Sequence, residues 1–249
     1  MPVFLLTDEL IFPSPELANK DGLLAVGGDL SPERLLLAYR NGIFPWYSEK
    51  EPVLWWSPHP RLTLYPHELK ISRSLARIIR QNRFSVSMDT AFPQVIRECA
   101  GMRRRKEEGT WLVDEMIDAY INLHEYGYAH SVETWKQGRL VGGLYGIALG
   151  RCFFGESKFT LVSNASKVAF VALVEWLKQR DFVMIDCQVT TAHLVSFGAR
   201  EISRSTFLAQ LHEALRIPTI RGRWCVETET IADRNQVLQQ KGNRADDTL

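Results

Sequence analysis

Between residues 129 and 189 the order of pattern signals leaves few architectures open. HSVETW at 130–135 reads as a strand and the turn KQGR ends it. LVGGLYGIALG and RCFFGES at 140–157 then supply two more strands, joined tightly at Gly150 and Arg151. An apolar helix over 164–180, capped by Asn164 or Ser163, feeds the strand FVMIDCQV. Antiparallel strands followed by a strand, helix, strand crossover describe an α+β domain with one mostly antiparallel sheet. Composition adds that 249 residues, 45% hydrophobic and 24% charged, make a globular chain long enough to bury a sizeable core.

Upstream and downstream of this run the same reading gives a helix over 71–82, a strand in FSVSM, and a helix near 91–99. The charged MRRRKEEGT reads as an exposed loop, and a further helix covers Asp114–Glu125. Short helices follow at 191–197 and 205–215. Residues 1–62 are different, being rich in turn formers and aromatics. One helix is plain there, with Ser31 as cap, Pro32 in the first helical position, LLLAY as the apolar face and Asn41-Gly42 as the stop. Prolines crowded between residues 13 and 60 argue against long strands, which predicts a small irregular module wrapped around that helix. The expected division is therefore 1–62 for this module, 63–232 for the larger domain, and 233–249 for a disordered tail with few apolar groups. Trp46, Trp55 and Trp56 are core residues by default, or platforms for unpaired bases.

The net charge of +1 conceals a local imbalance. From Lys70 to Lys106 ten bases face two acids, a segment charge of +8 that leaves −7 for the remainder. Arg73, Arg77 and Arg80 follow helical spacing on one face of SRSLARIIRQN, while Leu75, Ile78 and Ile79 form the other. No acid on this face offers i,i+4 pairs. Such a stripe suits a phosphate backbone, or is a solvated basic face.

Several chemistries are excluded. There is no GxxxxGK[ST] and no GxGxxG, and the glycines of VGGLYG lie inside a strand. GESKF resembles a nucleophile elbow, but Phe159 replaces the second glycine, so Ser157 is not expected to act as a nucleophile. Cys99, Cys152, Cys187 and Cys225 stand far apart without metal-ligand spacing, as reduced and mostly buried thiols of a cytosolic protein do. The start of the chain lacks the basic region of a signal peptide, and no apolar run is long enough to span a membrane.

A polar cluster remains at neighbouring strand ends. Glu156 is expected to end the strand RCFFGES. Asp186 and Gln188 close MIDCQ two residues apart, hence on one face. Carboxylates in such apolar surroundings need partners. They are structural acids paired with Lys167 or Arg200, or they form a site for a cation such as an amine.

The strings FPSPELANKDGLLAVGGDLSPERLLLAYRNGIFPWYS, LWWSPHPR, ISRS, EEGTW, HEYGYAHSVE, LVGGLYG, FFGES, NASK and DCQV resemble the leucyl/phenylalanyl-tRNA–protein transferases, over residues 4 to about 225. The resemblance implies a small N-terminal module followed by a domain with the fold of GCN5-related acetyltransferases. It also accounts for FTLVSNA, which has no glycine for a CoA pyrophosphate, because an aminoacyl-tRNA donor needs none. The implied activity is transfer of Leu or Phe, and less well Met, from aminoacyl-tRNA to proteins with N-terminal Lys or Arg, marking them for degradation. The implied setting is the cytoplasm, with no metal or organic cofactor.

Residue by residue, the resemblance implies that Asp186 receives or orients the amine proton and that Gln188 fixes the ester. Glu156 holds an ammonium of acceptor or donor. Trp46 and Trp111 stack on the terminal adenosine, and Arg73, Arg77 and Arg80 grip the acceptor stem. Leu144, Phe153, Phe170 and Leu173 line the slot for the donor side chain. Two departures stand out: Lys158 follows GES where the family commonly has methionine, and Gln81 stands where another base is frequent. The basic loop at 103–106 is longer than the family pattern and adds tRNA contacts or is merely solvated.

Overall fold

A computed structural model describes residues 3–105 and 112–226, without the side chains of 103–105. The expected tail at 233–249, Trp111 and Lys106 fall outside the described residues. Two sheets organise the chain. The smaller, in the order β1-β2-β4-β3, comes from β1 (Phe4–Leu6), β2 (Leu23–Gly27), β3 (Phe44–Pro45) and β4 (Leu54–Trp56), with α1 (Pro32–Arg40) inserted between β2 and β3. The prolines argued against long strands, and these strands are short, yet they assemble into a four-stranded sheet around α1. α1 starts and stops where its signals say: the Ser31 side chain accepts the Arg34 N–H, and Asn41 closes the last turn.

The larger sheet has seven strands in the order β11-β5-β10-β9-β8-β7-β6. Its strands are β5 (Arg61–Leu64), β6 (Ser85–Met88), β7 (Ala129–Lys136), β8 (Arg139–Leu149), β9 (Cys152–Thr160), β10 (Met184–Gln188) and β11 (Arg200–Ile202). Helices α2 (Arg73–Arg80), α3 (Phe92–Arg105), α4 (Asp114–Glu125), α5 (Ala165–Gln179), α6 (Ala192–Val195) and α7 (Arg204–Leu215) cover it. Every junction but β9 with β10 is antiparallel, the α+β architecture expected from the meander and crossover. The β7–β8 hairpin turns at Gln137 and Gly138, both at positive φ, a conformation matched to the twist of paired strands.

Two local expectations are corrected. α3 does not end near residue 99 but runs through Gly101 to Arg105, so the first part of MRRRKEEGT is helical; its arginines are good helix formers, and a single glycine lowers helix propensity without ending the helix. Asn164 precedes α5 in a left-handed conformation with φ 70° and its side chain makes no capping bond. The glycines of VGGLYG have packing reasons. A Cβ on Gly142 would lie 2.5 Å from Cβ of Ala165, and one on Gly146 would lie 2.2 Å from the Phe154 carbonyl oxygen.

Two apolar clusters fill the two sides of the large sheet. One joins Leu24, Tyr39 and Trp55 to Tyr120, Phe154 and Phe207, so the small sheet and α1 share a core with the large sheet. The other lies between the sheet and α5, with Leu144, Phe153, Phe170 and Ile185. Cys99, Cys152 and Cys187 are buried free thiols, Cys225 is an exposed one, and Trp55 is core as its default role predicts. Among the described residues no helix is long and apolar enough to cross a membrane.

Candidate active site

The parallel junction is where the sheet comes apart. β9 and β10 pair at Cys152 with Met184, Phe153 with Ile185 and Phe154 with Asp186, and both strands then continue without pairing to each other. Each is also bulged at that point. Against β8, Gly155 and Ser157 face Gly146 and Tyr145, leaving Glu156 as the extra residue of β9. Against β5, Asp186 and Gln188 face Thr63 and Leu62, leaving Cys187 extra in β10, and Gln188 adopts φ 61°. Bulges re-aim side chains, and here they turn Glu156 and Gln188 toward each other. Glu156 therefore does not end its strand, as expected from sequence; β9 runs four residues further, to Thr160.

A cavity of about 450 Å³ occupies this wedge. Leu144, Phe153, Phe170 and Leu173, the expected slot residues, line its apolar part together with Ile185 and Cys187. Glu156, Gln188 and Trp46 line the rest. Trp46 is 43% exposed, with its ring 5.6 Å from that of Trp56, whose indole N–H donates to the Trp46 carbonyl over 2.7 Å. Lys158, opposite Leu144 on β9, is exposed at the cavity edge. Ser157 lines the cavity with no histidine or carboxylate partner among the described residues, in keeping with its exclusion as a nucleophile. Burial, reinforced by Asp186, pushes the Cys187 thiol up, so it is protonated at neutral pH.

Glu156 is the centre of a polar knot. Its Oε1 accepts from the Tyr39 hydroxyl at 2.8 Å and from Gln188 Nε2 at 2.9 Å, and its Oε2 accepts from the Tyr120 hydroxyl at 3.1 Å. Tyr39 and Tyr120 are themselves 2.6 Å apart through their oxygens. Burial outweighs these bonds and raises the carboxyl pKa to about 7. The same burial, with Glu156 beside them, holds both tyrosine hydroxyls well above their usual range. Sequence reasoning missed Tyr39 and Tyr120; each sits on the apolar face of a helix, where a tyrosine reads as plain core.

Asp186 is not itself part of the cavity lining. It is fully buried, and Arg61 grips it with Nε to Oδ1 at 2.8 Å and Nη2 to Oδ2 at 2.6 Å. Oδ1 also accepts the backbone N–H of Gln188 at 2.9 Å. The Arg61 guanidinium in turn lies over the rings of Phe44, 4.9 Å away, and Phe207, 4.6 Å away. The expected partners Lys167 and Arg200 are thus wrong. Arg200 pairs with Glu68 at the surface, and the partner of Asp186 comes from β5, which pairs with β10 across 125 residues of sequence.

Arg73, Arg77 and Arg80 occupy the exposed face of α2 without an ion pair to a described acid, while Leu75 is buried and Ile78 and Ile79 pack inward. α2 packs on α5, the helix that carries Phe170 and Leu173 of the cavity lining. Trp111 and Lys106 fall outside the described residues, as do the side chains of Arg103, Arg104 and Arg105. Among the described residues no group of three or more His, Cys, Asp and Glu is arranged to hold a metal ion. What the arrangement offers chemically is an apolar slot for a side chain, abutting a carboxylate and an amide that can hold an ammonium and a carbonyl.

Residues 63–212 match the family model described as leucyl/phenylalanyl-tRNA protein transferase, and residues 28–59 match the model of that family's N-terminal domain. A leucyl/phenylalanyl-tRNA–protein transferase of Syntrophobacter fumaroxidans is 66% identical over 213 residues, covering 86% of this chain and 91% of the relative. Another, from Desulfatibacillum aliphaticivorans, is 59% identical, covering 92% of this chain and 98% of the relative. The chain belongs to the leucyl/phenylalanyl-tRNA–protein transferase family, a family of aminoacyltransferases.

Proposed function

We propose that this protein transfers Leu or Phe, and less well Met, from the 3′ ester of aminoacyl-tRNA to the α-amine of proteins beginning with Lys or Arg, in the cytoplasm, as a step toward their degradation. The observation that carries the reading is the cavity in which an apolar slot meets Glu156 and Gln188. Leu144, Phe153, Phe170 and Leu173 take the donor side chain, Trp46 and Trp111 stack on the terminal adenosine, and Arg73, Arg77 and Arg80 contact acceptor-stem phosphates. Residues 1–62 and 63–232 act as two modules that hold the donor end between them.

The reaction forms an amide C–N bond and breaks the ester C–O bond, and the amine proton ends on the ribose oxygen that leaves. An α-amine with pKa 7.7 to 8.0 is roughly 10 to 20% neutral at pH 7, so deprotonation costs only about 1 kcal/mol. Positioning and charge stabilisation therefore dominate. Glu156 holds an ammonium and Gln188 orients the ester carbonyl. Asp186, both of whose oxygens are engaged by Arg61, serves as an electrostatic anchor and not as the base. The −7 remainder of the chain attracts an acceptor terminus bearing two positive charges, while the +8 segment attracts tRNA. Incubation with leucyl-tRNA and peptides starting with Arg, Lys or Glu tests the reading: leucine is added to the first two and not the third.

A further inference from the structure

The buried ion pair behind the cavity is built more precisely than a structural pair requires. Arg61 is 1% exposed and its guanidinium packs over two rings, Phe44 of the small sheet and Phe207 of α7. Its fork engages both oxygens of Asp186, a two-point geometry that lysine has no means to reproduce. One of those oxygens, Oδ1, also receives the Gln188 N–H. That bond spans the bulge at Cys187 and meets a backbone at φ 61°, a conformation that costs a non-glycine residue free energy and persists only when its surroundings enforce it. Gln188 then places its amide on Glu156 at 2.9 Å, and Tyr39 and Tyr120 fix the far side. A continuous line of hydrogen bonds therefore runs from Arg61 through Asp186 and Gln188 to Glu156, and of these four only Gln188 and Glu156 stand in the cavity wall.

We infer that Arg61 is a positioning residue for aminoacyl transfer. Acting through Asp186, it enforces the left-handed backbone of Gln188 and so aims the amide that meets the donor ester. Asp186 transmits this geometry without exchanging a proton. The inference rests on the proposed transfer activity, and the wild-type reaction with leucyl-tRNA and an Arg-starting peptide tests that activity separately.

Neutralising the pair distinguishes a strut from a base. Arg61→Gln alone leaves a buried carboxylate without its cation, and Asp186→Asn alone leaves a buried guanidinium without its anion; either change breaks the alignment. In single-turnover transfer at saturating tRNA each single variant is expected to be about a hundredfold slow, the loss typical of a reacting group misplaced by about an ångström. The double variant Arg61→Gln with Asp186→Asn carries no unpaired charge, its two facing side-chain amides offer a neutral two-point pair in place of the fork, and the side-chain carbonyl that Asp186→Asn leaves in place still accepts the Gln188 N–H. It is expected to return to within about tenfold of wild type, a coupling characteristic of groups acting as one unit. With the wild-type protein active, a double variant that binds tRNA normally yet is as slow as Asp186→Asn overturns the inference. Arg61→Lys is an independent test, because it keeps the charge and loses the fork. A wild-type melting transition with transfer about a hundredfold slow supports the inference, and wild-type melting with wild-type transfer overturns it.

Discussion

Replacing Glu156 with glutamine tests whether the polar knot stores the burial penalty that the structure implies. The carboxyl pKa rises from its usual 4.5 to about 7 in the folded protein. A gap of 2.5 units at about 1.4 kcal/mol per unit is about 3 kcal/mol. The sign follows from which state holds the proton more tightly. The folded protein does, so the stabilisation is fully present below the unfolded pKa, declines as pH rises through 7, and is gone above it. Integrated from pH 5 to pH 8, wild type should lose about 2.5 kcal/mol relative to Glu156→Gln, whose amide does not titrate. Urea unfolding of both proteins across that range reads the difference directly. Tyr120→Phe removes one charge-assisted bond worth about 1.5 kcal/mol and should move the inflection up by about one pH unit. Stability curves of wild type and Glu156→Gln that run parallel from pH 5 to 8 would refute the burial of an ionisable Glu156.

Other consequences follow from the cavity and the basic helix. Each alanine substitution at Arg73, Arg77 or Arg80 should lower the slope of log affinity for tRNA against log salt by about one, equally for tRNAs of different sequence, as measured by filter binding. Leu173→Phe narrows the slot and should reduce phenylalanine transfer about tenfold relative to leucine in paired single-turnover assays; an unchanged ratio would remove Leu173 from the slot. Trp46→Ala should weaken binding of an aminoacyl-adenosine about tenfold or more while leaving the salt slope of tRNA binding unchanged, as fluorescence titration would show.

What the sequence revealed and what it hid divide along the range of the interactions. α1 was legible to within a residue, because a cap, a proline and an Asn-Gly stop are local signals, and α4 was legible from its own run of residues although Val113 before it makes no side-chain cap. The stripe of arginines was legible for the same reason, and α2 presents it outward. The bulges at Glu156 and Cys187 were not, since an extra residue shows only against the partner strand; the one at Cys187 breaks the period of two and puts Gln188 in the cavity wall while Asp186 is buried outside it, so the two do not share one face as their spacing led one to expect. Nor was Arg61, whose carboxylate partner lies 125 positions away and whose neighbours Phe44 and Phe207 come from two other elements. Tyr39 and Tyr120 converge on Glu156 from separate helices, so their hydroxyls looked like ordinary core tyrosines. The near-zero net charge misled only as an average, because its basic part is concentrated between residues 70 and 106.

In the proposed function one cavity joins a leucine or phenylalanine ester to a basic amino terminus. Incubating the protein with leucyl-tRNA and an Arg-starting peptide, and reading the peptide by mass, is the direct test. One added leucine residue on the α-amine is expected, lost when the peptide is N-acetylated and strongly diminished in Gln188→Ala. An unmodified Arg-starting peptide after exposure to folded, tRNA-binding protein would contradict it.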